Sequence, residues 1–169
     1  MTSNHLAISL EIEAPIQKVW DELANWEKQS DWMLQTKVWV TSKIQSGVGT
    51  QISALTGIKK FGILDTMEVT NWQPPHICDV IHTGRVIRGT GRFELTAIDA
   101  ARTRFDWSEE VIAPRALFIL MVPGLYIGVR ISLARFARSL RCRSVSQPRS
   151  SWKNSPRSRA SRASFKPTL

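Results

Sequence analysis

Three side chains able to do chemistry occupy positions that strand alternation turns to a single face: Asp65, His82 and Glu109. An imidazole and two carboxyls make an acid–base set, because each can hold or release a proton near neutral pH once its surroundings shift its affinity. On an apolar face such a group must find a partner or shift towards neutrality, since an unpaired buried charge is costly. His82 and Glu109 are therefore candidates for the general acid and base of an enolisation or a loss of water in a bound ligand, and Asp65 is a further candidate. A plainer reading uses the same residues: Glu109 pairs with a neighbouring arginine or sits at a solvated cavity mouth. A one-residue slip in register would turn all three outward.

His76, Cys78 and His82 share a strand face, which raises the question of a metal. Extended chain sets His76 and His82 roughly 20 Å apart at about 3.3 Å per residue, too far for one ion. Neither a metal site nor a cofactor is expected. The chain has no glycine-rich phosphate loop, nucleophile elbow or metalloprotease motif. Trp20, Trp39, Trp72 and Trp107 read more simply as core or sheet-surface residues than as a stacking platform for bases.

The elements that must position these residues are legible from periodicity. Leu6, Ile8, Leu10 and Ile12 alternate with Ala7, Ser9, Glu11 and Glu13, the mark of a strand with one buried face. Pro15 suits a first helical position, and Ile16, Val19, Trp20, Leu23 and Ala24 line one face of a helix to about Trp26. Asn25 to Met33 predicts a short second helix or an irregular turn. From Lys37 the chain breaks into short β-branched and aromatic segments. The strands expected are Val38–Ile44, Thr50–Leu55, Gly62–Asn71, Ile77–Thr83, Arg88–Ile98 and Arg104–Val111, separated by Gly, Asn and Pro turns. Successive strands with brief turns imply an antiparallel meander.

Ala116 to Leu140 predicts a long final helix, with Val122, Leu125, Tyr126, Val129, Leu133, Phe136 and Leu140 on its apolar face. Pro123 should kink it or mark its start. Its unbroken apolar part, Ala116 to Val129, is shorter than the roughly 20 residues a membrane span needs. Alternation in the strands points Ile52, Ala54, Ile63, Asp65, Met67, Val69, Cys78, Val80, His82, Phe93, Leu95, Ala97, Phe105, Trp107, Glu109 and Val111 at this helix.

Length and apolar content fit one domain with a sizeable core, 43% of the 169 residues being hydrophobic. The net charge of +9 is concentrated from Arg141 onward: eight Lys or Arg and no acid there leave 15 basic against 14 acidic residues before it. The body thus gives no reason to expect a specific nucleic-acid partner. The Ser/Arg-rich segment 141–169 is expected to be a disordered tail on a domain of residues 1–140, offering at most weak contact with anionic membrane or nucleic acid. Its composition fits a genuine segment and a shifted reading frame equally. Cys78 and Cys142 show no disulfide framework and the N-terminus lacks a secretory pattern, so a cytoplasmic location is expected.

Ile12-Glu13-Ala14-Pro15-Ile16-Gln17-Lys18-Val19-Trp20-Asp21-Glu22-Leu23, with Trp32 downstream, resembles the strand-to-helix opening of the START-like helix-grip superfamily. Glu68-Val69-Thr70-Asn71-Trp72-Gln73-Pro74-Pro75 is similar to its mid-domain strand and turn, and Gly91–Leu95 with Thr103–Trp107 to its last hairpin. The likeness runs from about Leu6 to Leu140. Two departures are the missing glycine-rich turn in that hairpin and the Ser/Arg tail after the helix. The resemblance implies an α+β fold: a curved antiparallel sheet of about seven strands gripping the C-terminal helix, one or two short helices after the first strand, and an apolar cavity between sheet and helix. The superfamily includes polyketide cyclases and dehydratases, lipid-transfer domains and pollen-allergen relatives, and shares no catalytic motif to assign to residues here.

The first functional expectation is binding or transport of a small hydrophobic ligand, lipid, polyketide or quinone-like, against Met67, Val80, Phe93, Leu95, Phe105, Trp107, Leu125, Val129 and Leu133. Its alternative is a polyketide cyclase or dehydratase using His82 and Glu109, distinguished by whether both side chains reach one enclosed cavity. A third is a scaffold whose basic tail binds anionic membrane or nucleic acid.

Overall fold

Eleven consecutive cross-strand partners, from Thr2↔Ala113 to Ile12↔Thr103, zip the first strand onto the last, so the opening strand starts at Thr2, four residues before the expected Leu6. The computed structural model of the protein describes residues 2–58, 61–85, 87–113 and 115–145. The order is β1 (Thr2–Ile12), α1 (Ile16–Leu23), α2 (Gln29–Trp32), β2 (Thr36–Val40), β3 (Gln51–Ile58), β4 (Phe61–Gln73), β5 (Ile77–His82), β6 (Arg88–Asp99), β7 (Arg102–Ala113) and α3 (Arg115–Val145). Strands β2 to β7 form the expected meander. The two short helices cross from one edge to the other, giving the seven-stranded antiparallel order β1-β7-β6-β5-β4-β3-β2. The sheet curls into a half-barrel with α3 following it, which is the helix-grip arrangement.

Polar anchors hold the crossover. Gln29 Nε2 donates to Leu23 O at 2.8 Å, satisfying a carbonyl that the end of α1 leaves without a helical partner. Thr103 Oγ1, fully buried, donates to Ala14 O at 2.8 Å, and Lys18 Nζ donates to Leu140 O at 3.2 Å. The core runs from α1 (Val19, Trp20, Leu23) across the inner face of the sheet (Ile52, Val69, Leu95, Phe105) to Leu133, Phe136 and Leu140 of α3. Phe136 meets Trp32 of α2 at 4.9 Å and Phe105 at 6.3 Å between ring centroids, so one aromatic side chain of α3 ties both layers. Ser132 Oγ donates to Gly128 O at 2.7 Å and accepts from the Leu34 N–H at 2.8 Å, fixing the helix against the α2–β2 connection.

Several expectations need correction. Strand β2 stops at Val40, not Ile44, because Gly47 (φ 95°) and Gly49 (φ 85°) turn the chain and Ser42 Oγ donates to Ile44 O. Tyr126 is exposed, its hydroxyl accepting from Arg130 Nη1 at 3.0 Å on the helix surface. Ala97 is exposed beside the irregularity between Ala97 and Asp99, where β6 loses its alternation. His76 lies in a turn, outside the strand that carries His82, and shares no face with it. Pro123 falls inside α3, which starts eight residues earlier, and the helix continues past Leu140 to Val145. Among the described residues no helix is long and apolar enough to cross a membrane. Residues 146–169, which include most of the expected tail, lie outside the described residues, as do the side chains of Val122 and Leu125.

Candidate functional site

Asp65, His82 and Glu109 meet on the concave face although they come from β4, β5 and β7. Each follows or precedes an inward apolar neighbour by two residues, Met67, Val80 and Trp107, so the pleat turns them the same way. Register brings them to the same end of the sheet: Met67 pairs with His82, Val80 with Gly91, and Gly91 with Glu109. The strand between, β6, presents two glycines there. Gly91 is buried, and a Cβ on it would lie 3.5 Å from His82 Nε2 and 3.6 Å from Glu109 Cγ. Gly89 has φ 136°, and a Cβ would sit 1.7 Å from Glu110 O, so no side chain fits there at all. The space the glycines leave is closed over by neighbours, Val80 Cγ2 standing 3.0 Å from a Cβ on Gly91, and over this glycine notch the imidazole and carboxyl face each other.

His82 Nδ1 lies 2.8 Å from Asp65 Oδ2, and Nε2 lies 3.9 Å from Glu109 Oε1, beyond hydrogen-bond reach. The His82 side chain is 2% exposed, Asp65 15% and Glu109 20%, so access to the imidazole is by way of the carboxyls. With Nδ1–H donated to Asp65, the imidazole keeps its other lone pair at Nε2, the tautomer a general base needs. His82 Nε2 and Asp65 Oδ1 are both buried without a hydrogen-bond partner. Two such atoms in one cluster are unusual in a folded interior.

Burial pushes the Glu109 carboxyl up to about 7; the His82 charge opposes this and the Asp65 charge adds to it. Burial works against a charged His82, but the hydrogen bond and charge of Asp65, with the charge of Glu109, outweigh it and raise the imidazole above 6.5. The two groups therefore titrate as a coupled pair, each holding its proton more tightly than usual. Neutral imidazole facing carboxylic acid, and imidazolium facing carboxylate, carry the same net charge and differ by one proton moved across the notch. No arginine pairs with Glu109 among the described residues. No group of three or more His, Cys, Asp or Glu among them is arranged to hold a metal ion.

Of the residues proposed to line an apolar cavity, Val80, Leu95, Phe105, Trp107 and Leu133 are buried and Met67, Phe93 and Val129 are half-buried around the same core. Sequence reasoning missed Gly89 and Gly91, whose signal was a Gly-Thr-Gly run inside a strand pattern, a known sign of close approach. It also missed a cleft of about 420 Å³ at the opposite end of the sheet, lined by residues including Trp20, Trp26 and Trp72 and by none of the three titratable residues above.

No family model matches the chain, and no curated protein matches it. Solved structures do. The Zhui aromatase/cyclase from Streptomyces sp. R1128 superposes with a TM-score of 0.72 at 15% identity, covering 85% of this chain and 96% of that one. A START superfamily protein from Mycobacterium smegmatis gives 0.66 at 10% identity, over 80% and 98%. A point mutant of norcoclaurine synthase from Thalictrum flavum, in complex with a transition-state analogue, gives 0.65 at 13% identity, over 86% and 98%. At these identities the likeness speaks for architecture, and it agrees with the curled seven-stranded sheet and the C-terminal helix described above: the chain has the START-like helix-grip fold.

Proposed function

We propose that the protein binds a small, largely apolar molecule bearing a carbonyl or hydroxyl between the sheet and α3, and that His82 and Glu109 move protons on it. The observation that carries this reading is His82 Nε2: buried, without a partner, 3.9 Å from a carboxyl, with Nδ1 held by Asp65. A domain that only wraps a hydrocarbon has no use for an unsatisfied imidazole nitrogen, which costs about 1–3 kcal/mol. In the proposed reaction His82 Nε2 takes a proton from the carbon beside a carbonyl while protonated Glu109 donates to the oxygen. Loss of a hydroxyl as water from the adjacent carbon is the same proton traffic continued one step. Asp65 stabilises the imidazolium that forms and sets its tautomer. The relationship in fold to an aromatase/cyclase and a START superfamily protein supports a groove of this kind.

The test is native mass spectrometry of freshly purified protein, extraction of the bound compound, and its return to ligand-free wild type and His82→Gln protein. Conversion by the wild type and binding without conversion by His82→Gln is the expected result. Recovery of the compound unchanged from both proteins would make the domain a carrier, the second reading, for which the half-buried Met67, Phe93 and Val129 are the supporting observation.

A further inference from the structure

We propose that the cleft of about 420 Å³ beside α1 is a second binding site, separate from the Asp65, His82 and Glu109 cluster, and that it takes a small organic cation: an ammonium group on a compact apolar body carrying a hydroxyl. Its volume falls in the range of about 300–1,000 Å³ typical of small-molecule sites.

Three indoles build one wall. Trp20 stands edge-on to Trp72 at 4.9 Å between centroids, and Trp26 is tilted against Trp72 at 6.2 Å, with Trp72 only partly buried. Indole faces carry negative potential and attract a cation within about 6 Å of the ring centre. Charge on the lining points the same way. Asp21 and Glu27 are its ionisable residues, and no Lys or Arg lines it, in a chain whose net charge is +9. Basic side chains nearby in sequence are engaged elsewhere: Lys28 with Glu22 at 3.7 Å, Lys18 with the Leu140 carbonyl. The Asp21 carboxylate is held by Gln17 Nε2, which donates to Oδ1 at 2.8 Å.

Two further features narrow the ligand. The Trp26 Nε1–H is buried without an acceptor, although Trp26 itself borders the cleft. A hydroxyl oxygen on the ligand would relieve that orphaned donor. Asn25, Gln45 and Ser46 add polar atoms beside the apolar Ala24 and Val40, a mixed wall that suits a partly hydrated cation with an apolar body better than a lipid chain. An anion, a phosphate included, would meet two carboxylates and no compensating base.

Choline and its uncharged isostere 3,3-dimethylbutan-1-ol are the probes, titrated into the full chain at low salt and followed by calorimetry and by the Trp26 indole N–H resonance. Choline should bind at least tenfold tighter than the alcohol and shift that resonance. Asp21→Asn and Glu27→Gln, both at exposed residues and compatible with the fold, should each weaken choline about two- to fivefold. Trp72→Leu, checked for folding by thermal unfolding, should weaken it about tenfold. Equal affinity for the alcohol, no choline binding at millimolar concentration, or choline binding unchanged in the Asp21→Asn, Glu27→Gln double variant would each overturn the proposal.

Discussion

Replacing Glu109 by Gln should make the protein more stable at pH 8, the reverse of what removal of an ordinary surface charge does. The carboxyl ionises near 4.5 when unperturbed and near 7 in the folded chain. At 1.36 kcal/mol for each tenfold change in proton affinity, keeping it in the fold costs about 3 kcal/mol once the pH exceeds 7. The sign follows from proton uptake: the folded state holds the proton more tightly, so its stability is whole below 4.5 and lost as pH rises through about 7. His82, raised above 6.5, acts in the same direction, contributing below 6.5 and losing that contribution as pH passes its folded value. The Glu109→Gln amide keeps the shape, removes the ionisation and lowers the proton affinity of His82. With the 20% exposure of the Glu109 side chain and the coupling to His82 discounted, a gain of about 1–3 kcal/mol at pH 8 is expected. For a domain of this size that is a rise in Tm of roughly 2–10 °C. Urea unfolding of both proteins at pH 5, 6, 7 and 8 measures it: wild type should weaken across the series and Glu109→Gln should be flatter. A variant less stable than wild type at pH 8, or an unchanged pH slope, would refute the reasoning.

Trp107→Ala should cost about 3–5 kcal/mol in denaturant unfolding, since the ring is 8% exposed within the core. Ser132→Ala leaves the Leu34 N–H without its acceptor and should cost about 1–3 kcal/mol in the same assay. Gly91→Ala should leave a folded protein, seen by circular dichroism, that binds the extracted compound at least tenfold more weakly, because the new methyl, 3.0 Å from Val80 Cγ2 and 3.5 Å from His82 Nε2, shifts the side chains around the imidazole.

How far the sequence could be read depended on the kind of information each feature needed. Period-two alternation placed Asp65, His82 and Glu109 on inner faces because each lies two residues from an apolar marker in its own strand. Their meeting at one end of the sheet depends on register across four strands, including the shift between Val69 and Asn71 in β4, and alternation is silent about register. Gly89 and Gly91 act through what they lack, so their role is visible only once Glu110 and His82 are seen beside them. Tyr126 satisfied the helical spacing yet is exposed, since spacing fixes a stripe but not where along α3 the sheet ceases to cover it. The tryptophan cleft joins α1, the segment after it and the end of β4, distant in sequence and brought together by the crossover.

Proton transfer at His82 can be tested without the natural ligand by incubating the protein in D2O with an apolar aromatic ketone such as 1-tetralone and following exchange beside the carbonyl by NMR. The wild type should accelerate deuterium incorporation over buffer, and His82→Gln should lose that acceleration by about 10²-fold or more, as expected for removal of a general base. Tetralone that binds the wild type, shown by line broadening, yet exchanges no faster than in buffer would contradict the acid–base role of His82 and Glu109.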